Sequence, residues 1–331
     1  MSRFNLIDSP WISVIYSESE ANKLVSLRTL FQDAKSIESS AGDTKTQDFA
    51  VLRVLLAILH TVYSRFDAKG NQYEYIDLDE SYRQTSNVDK DDLISYLNNL
   101  NKTWESLWDK GEFTFIVEEY LDKWHDHFYL FDDKYPFFQI LKEDISSDKI
   151  NKKNPSAISG KTFDRTLSES DNKVALFSPK YAAGSNKEIL TEDEVARWLI
   201  TYQGYTGLAD KTKFITNEEY ERISKGWLFD IGGIHIEGKN LFETLMLNLL
   251  LVHPEEKYVE NRQKPCWEYP SEYLINEYLD NNMPDNLSQL YTNWSRAIYI
   301  DPEIDLKKAF SCNVVKLPGL ENRDQFLEPM T

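Results

Sequence analysis

At 331 residues, with 41% hydrophobic and 13% aromatic side chains, the chain can fill the core of one large domain or two ordinary ones. Its 12 glycines and 11 prolines exclude a collagenous or low-complexity polymer. A net charge of -18, from 37 Lys and Arg against 55 Asp and Glu, excludes a protein that coats nucleic acid indiscriminately, because phosphate repels such a surface.

The two cysteines, Cys266 and Cys312, have no CxxC spacing, so neither a disulfide framework nor a thiolate metal site is expected, which fits a reducing cytoplasm. The opening MSRFNLIDSPW lacks the apolar core of a signal peptide. The longest apolar stretch, Phe49 to Val62, contains Arg53 and His60 and is too short and polar for a bilayer. A cytoplasmic protein without membrane association is the expectation.

In chain order, FNLIDSPWISVIYSE reads as a strand entered at Pro10, with Trp11, Ser13 and Ile15 on one face and Ile12 and Val14 on the other. LVSLRTLFQDA predicts a short strand or turn and then a helix. In QDFAVLRVLLAILHTVYSRF, Phe49, Leu52, Leu56, Leu59 and Tyr63 recur at three- and four-residue steps and the opposite face is almost as apolar, which predicts a buried helix. A polar stretch leads to the helix LISYLNNLNKTWESLW, and FTFIVEEYLDKWHDHFYLF keeps helical period to about His127. Pro136 then turns the chain and buries Phe137 and Phe138. Thr191 with Glu194 forms a capping box for TEDEVARWLITYQ, and Gly204 is expected to end that helix. WLFDIGGIHIEG reads as a hairpin turning at Gly232 and Gly233, and Asn240 as the cap of LFETLMLNLLLVH. The fold class is α+β, a predominantly helical globular domain with short mixed or antiparallel strands at the N-terminus and around residues 227 to 237.

Between Lys149 and Lys187 the charge inverts: eight cations (Lys149, Lys152, Lys153, Lys161, Arg165, Lys173, Lys180, Lys187) face Asp164, Glu169 and Asp171, a local excess of five. Composition alone makes this a solvated surface loop. TYQGYTGLADKTKF, Thr201 to Phe214, sets two glycines among aromatics and two lysines; loops of this kind usually just connect elements, yet glycines also permit close backbone approach to a phosphate or base edge. Lys316 stands before Leu-Pro-Gly, where a solvated turn residue is the ordinary reading.

WHDHF, with His125 and His127 flanking Asp126, raises an HD-type metal-dependent phosphohydrolase as the enzyme alternative. That site needs further converging ligands, and His60, His235 and His253 all sit in apolar contexts. Phosphate-loop and GxSxG motifs are absent. A third reading is an acidic protein-interaction module without nucleic-acid binding.

Taken in order, FNLIDSPWISV, VSLRTLF, QDFAVLRVLLAILH, YPFFQ, DNKVALFS, EVARWLITYQ, LYTNWSRAIYI and EPMT resemble the large subunit (CasA or Cse family) of the type I-E CRISPR surveillance complex, Cascade, from Phe4 to Thr331. The resemblance implies the N-terminal globular domain of that subunit over residues 1–331, with the family's wedge hairpin and C-terminal helical bundle lying beyond Thr331, as in a C-terminally truncated member. It implies no catalysis, no cofactor and no metal. It implies antiviral defense as part of a ribonucleoprotein, with the other Cascade subunits and crRNA, double-stranded target DNA and a recruited helicase–nuclease as partners. The protein would read the protospacer-adjacent motif from the minor groove, while the guide reads sequence. By the same resemblance the segment meeting the guide's 5′ handle falls on Asn172, Lys173, Phe177, Ser178 and Pro179. The loop that approaches DNA falls on Gly204, Gly207, Lys211 and Lys213, and a lysine finger at or near Lys316. Where the family can carry a run of glycines, Leu208 stands here.

Overall fold

The computed structural model describes residues 2–19, 21–164, 188–206, 211–216, 226, 228–229, 232–319 and 328–330. Its axle is α2 (Lys45–Tyr63), begun by Thr44, whose hydroxyl accepts the Gln47 N–H at 3.1 Å. Apolar residues all round its circumference require neighbours on every side. Those neighbours are α4 (Ile116–Lys123), α6 (Glu192–Tyr205), α7 (Leu241–Asn248) and α10 (Leu287–Tyr291). The amphipathic α3 (Leu93–Lys110) buries Leu93, Tyr96, Leu100, Thr103 and Leu107 at helical spacing, and stops at Gly111 in the left-handed region (φ 72°).

Among the described residues the strands form three small sheets. β1 (Arg3–Asn5) pairs antiparallel with β5 (Tyr129–Phe131). β2 (Ile12–Tyr16) lies between β3 (Asn22–Val25) and β4 (Ile37–Ser40), antiparallel to both, with Ile12 and Val14 turned into the core. β8 (Ser311–Lys316) lies between β6 (Ser156–Ser159) and β7 (Arg296–Tyr299), again antiparallel. Helix α1 (Leu27–Asp33) follows β3 with Ser26 as its cap, α5 (Gly160–Phe163) follows β6, and α8 (Lys257–Glu260) and α9 (Ser271–Leu279) complete the chain order. The result is the expected α+β architecture.

The capping box of Thr191 and Glu194 forms, Asn240 accepts from Glu243 N at 2.9 Å, and Phe137 and Phe138 are buried behind Pro136. The helical period past Lys123 gives way to one 3-10 turn, His125–His127. The hairpin expected around 227 to 237 is corrected: among the described residues, 232–237 belong to no strand, and Gly232 has a positive φ of 76°. Cys266 and Cys312 are free, and burial pushes both thiols well above their ordinary range. Among the described residues no helix is long and apolar enough to cross a membrane.

Candidate nucleic-acid interface

The sheet β6–β8–β7 gathers the cations that the sequence scatters. Beyond Ser156, where β6 begins, residues 212–214 take over its place beside β8. Lys213 bridges Lys316 in parallel, Lys316 N donates to Thr212 O at 2.9 Å, and the Ser156 and Thr212 hydroxyls meet at 2.9 Å. On its other side this segment meets the start of the basic window. Asn151 N donates to Lys213 O (2.9 Å), Lys213 N to Asn151 Oδ1 (3.0 Å), and Ile215 N to Lys149 O (2.9 Å). Across β8, Lys316 stands opposite Arg296.

Residues directly opposite in a ladder project from the same face. Arg296, Lys316 and Lys213 therefore form a row of three cations over adjacent strands, the first two only 1% and 3% exposed. Neighbouring like charges repel, so their burial requires polar partners; the Arg296 guanidinium donates to Ser295 O at 2.7 Å. Around this buried row Lys211, Lys149, Lys152 and Lys153 are exposed and Lys213 is half-buried. The end of the sheet thus gathers cationic side chains on a body of net charge -18.

Two expectations need correction. Lys316 is the last residue of β8 and buried, so it is neither a solvated turn residue nor a finger standing off the surface. Gly204 does not end its helix: it lies inside the last turn of α6, which runs to Tyr205, and is buried. Its carbonyl accepts Leu228 N at 2.7 Å, and a Cβ built on Gly226 would lie 2.5 Å from that carbonyl. The close backbone approach at Gly204 is to its own chain.

Asn172, Lys173, Phe177, Ser178, Pro179 and Gly207 lie outside the described residues. Among the described residues nearby, a Cβ on Gly160 would sit 2.7 Å from Glu188 O, and Phe310 N donates to that oxygen at 2.6 Å. This contact adjoins Ser311, the end of β8 opposite Lys316, about 17 Å away by strand rise. Arg296 was not singled out by the sequence, where RAIY reads only as strand; its signal appears once pairing sets it against Lys316.

His125 and His127 do not converge. His125 Nε2 meets Asp8 Oδ2 at 2.8 Å, whereas the His127 ring stacks on Tyr135 at 4.1 Å and burial lowers its pKa. Among the described residues no three His, Cys, Asp or Glu side chains are grouped to hold a metal.

The chain matches the family model for CRISPR-associated protein Cse1 over residues 5–331. A CasA/Cse1 protein of Thermus thermophilus is 25% identical over 274 residues, 82% of this chain and 43% of that protein. Among solved structures, Thermobifida fusca Cse1 has a TM-score of 0.61 at 24% identity, over 95% of this chain and 51% of that one. A chain of a CRISPR RNA-guided surveillance complex has a TM-score of 0.67 at 16% identity, over 100% of this chain and 58% of that one. At those identities the structural likeness speaks for the fold, and this chain spans about half the length of these relatives. The match along nearly all of its residues makes the chain a member of the Cse1 family of CRISPR-associated proteins.

Proposed function

We propose that this chain is a non-catalytic, cytoplasmic subunit of an RNA-guided antiviral surveillance complex. It reads the protospacer-adjacent motif of duplex DNA from the minor groove, contacts the crRNA 5′ handle and helps recruit the helicase–nuclease. Its other partners are the remaining Cascade subunits. One observation carries the reading: the row Arg296–Lys316–Lys213, with exposed Lys211 beside it, draws the two family-implied DNA contacts into one ladder. The solved relative in an RNA-guided surveillance complex adds the setting.

Physically, exposed Lys211 and half-buried Lys213 supply the attraction to phosphate, with Arg296 and Lys316 holding the ladder behind them. A minor groove read in this way distinguishes few base patterns, so several related motifs are tolerated.

The test is duplex binding by the assembled, guide-loaded complex. Lys211→Ala/Lys213→Ala is expected to weaken motif-dependent binding roughly threefold to tenfold per lysine and to flatten the salt dependence by about one phosphate contact each. Lys316 stays in place, because removing a buried cation would also disturb the ladder. Unchanged affinity and salt slope in the double variant would sink the reading.

A further inference from the structure

A second cationic surface lies on α3, separate in sequence from the sheet just described. Asn99, Lys102, Thr103, Ser106 and Lys110 share one face of that helix and form one wall of an open trough of about 710 Å³; the 67–75 loop forms the other. Tyr73 makes the floor, its hydroxyl 2.6 Å from that of Thr103.

The loop is built to hold this shape. Asp67 Oδ1 accepts the N–H groups of Lys69 (2.8 Å) and Asn71 (2.9 Å), and Oδ2 accepts the Asn71 side-chain amide at 3.0 Å. Gly70 supplies the positive φ of 83° that the turn requires. The Phe66–Gln72 bridge closes the loop's base. Lys69 is presented by this turn, facing the lysines of the helix across the trough.

Charge decides what the trough can hold. Three lysines, Lys69, Lys102 and Lys110, face two carboxylates, Asp67 and Glu74. Asp67 is already occupied by its own loop, which leaves Glu74 as one carboxylate against the three lysines. Lys110 meets Glu112 at 3.1 Å in a pair about half exposed, which an incoming anion can displace at little cost. Among the described residues Lys69 and Lys102 meet no carboxylate within 4.0 Å, on a protein of net charge -18. Unspent cations lining a shaped trough select an anion. Lys102 and Lys110, eight residues apart on one helix, are separated by about 12 Å, more than a single phosphate spans. Asn99, Ser106 and Tyr75 add neutral hydrogen-bonding groups between the charges.

We infer that this trough holds the phosphodiester backbone of a nucleic-acid strand. The inference goes beyond the proposed function and does not depend on it, since the trough would take backbone whether or not the sheet edge reads a motif. RNA and DNA share this chemistry, and the experiment separates them.

Fluorescence anisotropy of the full chain with labelled single-stranded RNA, single-stranded DNA and duplex DNA, over a series of salt concentrations, tests it. Binding of at least one probe is expected. Lys69→Ala/Lys102→Ala should weaken that probe about tenfold at low salt and lower the slope of log K against log salt by about 1.4 to 1.8, two contacts' worth. Preference for RNA or for DNA decides which kind of strand the trough takes. Lys211→Ala/Lys213→Ala in parallel reports on the sheet edge alone. The inference is overturned if no probe binds at low salt, or if Lys69→Ala/Lys102→Ala changes neither affinity nor slope. It is overturned equally if AMP at matched phosphate concentration competes as well as an oligonucleotide, which would make the trough a small-molecule site.

Discussion

Gly204 and Gly226 are adjacent in space, and their missing side chains act in opposite senses. Gly226 N donates to Thr206 O at 2.5 Å, and a Cβ on Gly226 would meet Gly204 O at 2.5 Å and Thr206 N at 2.7 Å. Backbone on both sides cannot yield, so Gly226→Ala is expected to cost about 1–3 kcal/mol. A Cβ on Gly204 would meet the end of the Leu228 side chain at 3.3 Å, which a small rotation relieves. Because Gly204 is helical, Gly204→Ala should be neutral or gain about 0.5–1 kcal/mol. Thermal melts of the two variants check this: opposite or null-and-negative shifts are expected, and a lower Tm for both defeats the account. The glycines of this region were legible as places of close approach. What approaches was not, because Gly226 lies 22 residues further on and local pattern says nothing about that pairing. Lys316 was misread in the same way: Leu-Pro-Gly after it argues for a turn, while the strand before it and the cations beside it appear only in three dimensions.

At the scale of elements, the helices α2, α3, α6 and α7 follow from their periodicity and caps, since the apolar face that pattern demands is the one buried. The segment 232–237 shows where alternation misleads. Ile234 and Ile236 alternate as in a strand, yet they are 69% and 56% exposed. One side chain stands in for the missing partner strand. Asn248 Oδ1 accepts Ile236 N at 2.9 Å, and Asn248 Nδ2 donates to Ile236 O at 2.8 Å. Ile234 N donates instead to Met330 O at 2.8 Å. Asn248→Ala removes both bonds to Ile236 and should cost about 1–2 kcal/mol, less than a buried pair because water can replace them. Hydrogen exchange at the Ile236 amide is expected to accelerate about tenfold or more while α2 amides keep their protection. Unchanged exchange at Ile236 would mean that the asparagine does not hold the segment.

Across the whole molecule, Arg65 and Glu268 do what no local pattern announces. The carboxylate takes both guanidinium nitrogens, at 2.6 and 3.0 Å, and the Tyr120 hydroxyl at 2.6 Å, with both ionic side chains fully buried. Arg65 also donates to Tyr82 O at 2.9 Å and Gln263 O at 2.8 Å. The end of α2, the polar stretch after it, α4 and the segment before α9 are thereby fixed to one point. Burial, then the Glu268 charge, pushes the Tyr120 hydroxyl well above its ordinary range, so it stays a donor. In sequence Glu268 was one acid among 55, with nothing to mark it. Burying two charges carries a desolvation cost that their attraction roughly offsets, so the pair adds little net stability, but either partner left alone is expensive. Glu268→Gln should therefore cost about 3–5 kcal/mol in urea unfolding. Arg65→Met/Glu268→Leu, which removes both charges and keeps much of the volume, should recover most of that loss, though Tyr120 forfeits an acceptor. If the double variant is as unstable as Glu268→Gln, the ion pair is a net source of stability rather than a device that specifies which segments meet. If Glu268→Gln melts like the parent, the network is not held as these distances place it.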